Sequence, residues 1–195
     1  EQPRMTKSEL RKLYLQKRKQ LLAAECQQLN YQLCEYFFAS VDVSFVKVLH
    51  TFIPLEENNE PNSWLLIDRI RREFPHIRLV VPRIDPAAGT LENFFFEGLH
   101  QLQPNGWGIL EPRQGVPVGS AIIDMVLVPL LVVDHHGQRV GYGKGFYDRF
   151  LKDCKPTCKK IGLSLFAPVE SIDDVDDWDV PLNACVTPQA YHAFE

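Results

Sequence analysis

The chain has 195 residues, 45% of them hydrophobic and 24% charged, enough for one substantial core and short for two full domains. Its formal net charge of −4 argues against a general nucleic-acid binder, because neutralising phosphates takes a basic balance. No apolar run approaches the length of a membrane span, and the N-terminal stretch is polar and charged rather than signal-like.

In chain order, Thr6-x-x-Glu9 is a capping-box pattern that starts a helix at Lys7. Leu10, Leu13, Tyr14 and Leu21 mark its apolar face. Leu29, Leu33, Tyr36 and Phe37 recur at helical spacing and predict a second helix. The texture then changes to short apolar runs that each stop at proline: Phe45 to Pro54, Ile77 to Pro82, Ile122 to Pro129 and Ile161 to Pro168. Continuous β-branched runs are what buried parallel strands look like, and proline marks where pairing ends. Ser63 to Ile70 and Phe146 to Lys152 read as helices between strands, and Leu91 to Phe96 as an added strand or hairpin.

This alternation predicts an α/β fold: a single domain over residues 1–195 with a doubly wound, mostly parallel sheet, helices on both faces and an N-terminal helical segment. Ligands of such sheets bind beyond the carboxyl ends of the strands. Cys26, Cys34, Cys154, Cys158 and Cys185 are odd in number and follow no framework spacing, so they read as reduced thiols of a cytoplasmic protein. Cys154 and Cys158 are spaced to share a helix face, yet no second pair at zinc-like spacing accompanies them.

The chemistry concentrates between Arg139 and Arg149. Gly141, Gly143 and Gly145 alternate with Tyr142 and Lys144, and Phe146, Tyr147 and Asp148 follow. Glycines let main-chain N–H groups approach a ligand, and Lys144 and Arg139 add positive charge beside them, a combination suited to phosphate. The loop is not a P-loop, since Gln138 and Gly145 stand where a glycine and a Ser or Thr are required. Nor is it a dinucleotide loop, because Phe146 takes the place of the third glycine. On glycines alone, a tight turn capping a strand explains it equally well. His135 and His136, with Asp134 and Gly137, read as a polar turn. Lys7 and Arg11 share a helix face, and on charge alone they belong to a solvated basic face with Lys12, Lys17, Arg18 and Lys19.

Preceded by Asp124 to Leu131 and Asp134, the glycine segment resembles the signature of the 5-formyltetrahydrofolate cyclo-ligases, also called methenyltetrahydrofolate synthetases. The resemblance extends to Lys7-Ser8-Glu9-Leu10-Arg11, to Gly106 through Pro112, to Asp179-Val180-Pro181-Leu182 and to Val186-Thr187, in the family's order. It implies an enzyme that converts 5-formyltetrahydrofolate and ATP to 5,10-methenyltetrahydrofolate, ADP and phosphate with Mg2+. Charge and hydropathy point to no nucleic-acid or membrane partner, and a monomer is the expectation.

Carried over residue by residue, the resemblance implies Lys7, Arg11, Arg139, Gly141, Tyr142, Gly143, Lys144, Gly145 and Asp148 at ATP. Lys144, Arg139 and Tyr147 take the catalytic roles, and Asp148 and Asp179 the metal. Glu60, Trp107, Phe146 and Tyr147 face the folate, with Glu56 and Glu57 as alternatives to Glu60. Tyr142 stands where some members carry a basic residue, and Phe146 where many carry a second tyrosine. Arg18 and Lys19 keep the solvated reading. Two rivals stand beside this one: a phosphate-binding module of the same fold with different chemistry, and an RNA-binding module using the basic first helix.

Overall fold

The computed structural model describes residues 3–194. Helix α1 spans Lys7–Lys19 and opens with the expected box: Thr6 accepts from the Glu9 N–H while the Glu9 carboxylate accepts from the Thr6 N–H. Two orphan amides are satisfied reciprocally, which fixes the start of the helix. Leu21 lies beyond its end, because α1 stops at Lys19 and α2 begins at Ala23, running to Ser40. Helix α3 spans Ser63–Glu73, with Asn62 capping the Trp64 N–H.

Strands β1 (Val48–Thr51), β2 (Arg78–Asp85), β3 (Thr90–Phe95), β6 (Pro117–Val118), β7 (Met125–Pro129), β10 (Lys159–Leu163), β11 (Ala184–Val186) and β12 (Tyr191–Ala193) form one sheet. A hairpin of β4 (Leu102–Pro104) and β5 (Leu110–Pro112) and another of β8 (Val132–Val133) and β9 (Arg139–Val140) stand apart from it. The sheet order is β12-β11-β10-β7-β1-β2-β3-β6. The five strands from β11 to β2 are mutually parallel; β12 at one edge and β3 toward the other run antiparallel to them, and β6 at the far edge pairs antiparallel with β3. The mostly parallel sheet is therefore as expected, with β3 as the added hairpin strand.

Both faces of the parallel core are covered, which explains the continuous apolar runs. Leu49, Leu79, Met125, Leu127, Ile161 and Leu163 meet Phe37 of α2 and Leu66 and Ile70 of α3. Val48, Val80, Val126 and Val128 meet Phe150 and Leu151 of α4, which spans Phe146–Asp153. Helix α1 instead lays Leu10 and Tyr14 over Leu131, Val132 and Val140 of the β8–β9 hairpin.

Two details differ from expectation. Pro82 does not end β2: pairing with β1 stops at Val80, so the missing N–H costs no bond, and the strand continues against β3 to Asp85. Cys154 and Cys158 do not share a helix face, because α4 ends at Asp153 and Cys158 lies in the turn beyond. All five thiols are free, and Cys34, Cys154, Cys158 and Cys185 are buried. Among the described residues, no helix is long and apolar enough to cross a membrane.

Candidate active site

In the parallel core the chain enters at β1, steps out to β2, and returns across β1 to β7, β10 and β11. The order therefore reverses between β1 and β7, and at such a switch point the flanking connections part and leave a crevice. Phe52 and Ile53 after β1, and Pro129 closing β7, line a cavity of about 1170 Å³ at that place. Fourteen residues inferred from the sequence line this one cavity: Lys7, Arg11, Glu60, Trp107, Arg139, Gly141, Tyr142, Gly143, Lys144, Gly145, Phe146, Tyr147, Asp148 and Asp179. Glu56 and Glu57 sit in an exposed 3-10 turn and are not among the lining residues.

One side of the cavity is cationic. The β8–β9 hairpin delivers the chain into the glycine loop, which ends at Gly145, the N-cap of α4. Gly143 and Gly145 have φ of +84° and +73°, the left-handed region that disfavours a side chain. Arg11 Nε donates to the Gly141 carbonyl at 2.9 Å. A Cβ on Gly143 would stand 3.3 Å from Arg11 Cζ, so the loop lies close against the guanidinium. Lys144 is exposed, and neither it nor Arg11 forms an ion pair among the described residues. Two uncompensated cations beside flexible amides make an anion site.

The carboxylates stand next to these cations. Asp148, in the first turn of α4, forms an ion pair with Arg139 Nη2 at 3.1 Å and accepts from the Val180 N–H at 3.2 Å. Asp179 pairs with Lys7 Nζ and accepts from the Asp176 N–H at 3.0 Å. Burial opposes the Lys7 charge, but Asp179 and then Asp176 outweigh it and raise the Lys7 pKa. The acidic run after Asp173 is thus not merely solvated, since Asp174 also accepts from the Lys7 N–H at 2.6 Å, where the helix dipole favours an anion. Among the described residues no three His, Cys, Asp or Glu side chains gather as a metal cage. Mg2+ needs only one or two carboxylates when phosphates supply the remaining oxygens, so Asp148 and Asp179 fit it.

Aromatic side chains line the cavity as well. Trp107 sits in the β4–β5 loop, where Asn105 Oδ1 accepts from the Trp107 and Ile109 N–H groups at 2.9 and 3.1 Å. Its side chain is 49% exposed, which sets it apart from a packing anchor. Glu60 Oε2 accepts from the Leu55 N–H at 2.8 Å. Burial pushes the Glu60 carboxyl up, against the pull of Leu55, Tyr142 and Arg18.

Tyr147 hydrogen-bonds His50 Nε2 at 3.0 Å, and His50 Nδ1 bonds Asn93 Oδ1 at 2.7 Å. Because an amide oxygen only accepts, Nδ1 carries the His50 proton, and Nε2 then accepts from the Tyr147 hydroxyl. Burial pushes His50 down to about 3 and raises Tyr147 further above its ordinary range.

Sequence reasoning missed three groups here. His50 hides inside an apolar strand, and Trp178 and Lys152 line the cavity with the ammonium 4.1 Å above the indole. Arg18 is the clearest correction: it is not solvated but 1% exposed, donating to the Leu130 carbonyl and the Tyr142 hydroxyl. Its position continues the Leu10–Tyr14 spacing by four, which was the available signal. Lys19 is exposed as expected.

A cationic glycine loop and aromatic side chains lining one cavity at a sheet switch point define an α/β enzyme with an anion-binding site. The sequence model of the 5-formyltetrahydrofolate cyclo-ligase family matches residues 3–188, and the chain belongs to that family. It is a ligase of folate one-carbon metabolism. The 5-formyltetrahydrofolate cyclo-ligase of Escherichia coli K12 is 27% identical over 177 residues, covering 89% of this chain and 95% of the relative. That of Mycolicibacterium smegmatis is 31% identical over 152 residues, covering 71% and 72%. The solution structure of 5,10-methenyltetrahydrofolate synthetase from Aquifex aeolicus superimposes with a TM-score of 0.82 at 27% identity, over 98% of this chain and 94% of that one.

Proposed function

We propose that the chain catalyses ATP-dependent cyclisation of 5-formyltetrahydrofolate to 5,10-methenyltetrahydrofolate in this cavity, as one domain over residues 1–195. The observation that carries the reading is the convergence of fourteen candidate residues, drawn from both ends of the chain, on a single cavity. In the reaction the formyl oxygen attacks the γ-phosphorus of ATP and ADP departs. The resulting iminium phosphate is attacked at carbon by N10, which loses its proton as the C–O bond to phosphate breaks. Phosphate leaves with the former formyl oxygen.

The protein's share of this chemistry is positioning and charge neutralisation. Lys7, Arg11, Lys144 and the amides of Gly141 to Gly145 hold the polyphosphate, and Lys144 meets charge that develops on the transferring group. Asp148, braced by Arg139, and Asp179 would hold Mg2+. When bound, that ion neutralises phosphate oxygens. Trp107 and Phe146 offer faces to the pterin, Glu60 accepts from its N–H groups, and Tyr147 lines the same cavity. The free thiols support a cytoplasmic setting.

Mixing the protein with 5-formyltetrahydrofolate, ATP and Mg2+ and following near-ultraviolet absorbance of the methenyl product tests the reading. Turnover that needs all three supports it and ceases in excess chelator. Phosphate binding without product would return the loop to a module of different chemistry.

A further inference from the structure

Arg18 is almost wholly enclosed, yet among the described residues no carboxylate lies within ion-pairing distance of it. Packing alone calls for a hydrocarbon here, because position 18 continues the buried stripe of α1 and an isolated buried charge is costly. What the charge does is tie three segments together. Its guanidinium donates to the Leu130 carbonyl just past β7 and to the Tyr142 hydroxyl in the glycine loop. Its own carbonyl accepts from Asn59 Nδ2 at 2.8 Å, and Asn59 holds a left-handed φ of 49° immediately before Glu60. The Tyr142 oxygen accepts from Arg18, and Tyr142 and Glu60 line the same cavity.

We propose that Arg18 is a positioning residue of the folate site, holding Tyr142 through its guanidinium and the Asn59–Glu60 segment through its carbonyl so that Glu60 is presented to the cavity. The proposal rests on Glu60 being a folate contact. Glu60 is faced by Arg18 from α1, by Tyr142 from the glycine loop and by Tyr147 from α4. Burial raises its pKa, and the Leu55 N–H, the Tyr142 hydroxyl and the Arg18 charge pull it back down. Removing Arg18 or the Tyr142 hydroxyl takes away part of that pull, so Glu60 takes up its proton at still higher pH.

The test is kcat/KM for 5-formyltetrahydrofolate against pH in Glu60→Gln, Tyr142→Phe, Arg18→Met and Arg18→Lys, with the ATP KM and melting temperature of each. Glu60→Gln identifies the acid limb by flattening it and raising the folate KM. If it keeps both the limb and the parent KM, the folate reading of Glu60 is wrong and the proposal falls with it. With the limb assigned to Glu60, Tyr142→Phe and Arg18→Met move it to higher pH by about one unit, a tenfold loss below the shifted limb. Both raise the folate KM well beyond the ATP KM, and Arg18→Lys falls between. Tyr142→Phe keeps Arg18 and the packing, so it remains informative even if Arg18→Met fails to fold. A Tyr142→Phe limb at the parent pH overturns the proposal. So does an Arg18→Met protein with equal losses for both substrates and merely a lower melting temperature.

Discussion

The Lys7 ammonium pairs with the Asp179 carboxylate across 172 positions of sequence, joining the first helix to the C-terminal acidic turn at the cavity wall. Lys7 is thereby held over the cavity with its charge intact, and Asp179 is kept beside the segment that also anchors Asp148 through the Val180 N–H. If the pair acts as a unit, its two halves are not independent. Lys7→Met and Asp179→Asn each lower kcat/KM for ATP, and the double variant loses less than the sum, with a coupling of about 1 kcal/mol or more. Strict additivity in that cycle contradicts the pairing.

Lys144 is exposed, has no ion-pair partner among the described residues, and stands between two left-handed glycines. Lys144→Ala lowers kcat on the order of 10²-fold or more, in line with other preorganised charge stabilisers. Lys19→Ala, on the solvent side of α1, is the matched control and leaves turnover unchanged. Near-parental turnover of Lys144→Ala at saturating ATP removes Lys144 from the chemistry.

The two ends of the cavity separate kinetically. Trp107→Ala raises the folate KM far more than the ATP KM, and Lys7→Met does the reverse. Because half of the indole is already exposed, truncation leaves the melting temperature close to the parent value. Equal weakening of both ligands with a lower melting temperature shows that Trp107 supports packing instead.

Much of this was legible because local rules and the global fold agree. The Thr6–Glu9 box marked α1, and the sheet's burial on both faces made its central strands readable as unbroken apolar runs. The hairpins β4–β5 and β8–β9 were not legible, since strands of two or three residues leave no period to detect. Arg18 was misread because charge was weighed before position: a cation four residues beyond Tyr14 lies on the buried face whatever its chemistry. His50 escaped notice because its partners, Asn93 and Tyr147, come from β3 and α4, which only the folded sheet brings together.

His50 makes acid stability a reporter of that assembly. Its folded pKa of about 3 lies below the unfolded value of 6.5, so below pH 6.5 the unfolded chain binds a proton that the folded one refuses. Stability therefore falls as pH drops from about 6.5 toward 3, by up to ~1.4 kcal/mol per pH unit from this residue. His50→Gln flattens the melting-temperature slope in that window. An unchanged slope shows that His50 is already protonated in the fold.

The central claim is that ATP activates the formyl oxygen as a phosphate ester, and the path of that oxygen tests it most directly. Substrate labelled with ¹⁸O in the formyl group is turned over with ATP and Mg2+, and the released phosphate is analysed by mass spectrometry. The account predicts one labelled oxygen in each phosphate formed alongside methenyl product. Unlabelled phosphate with the label released to water would contradict it.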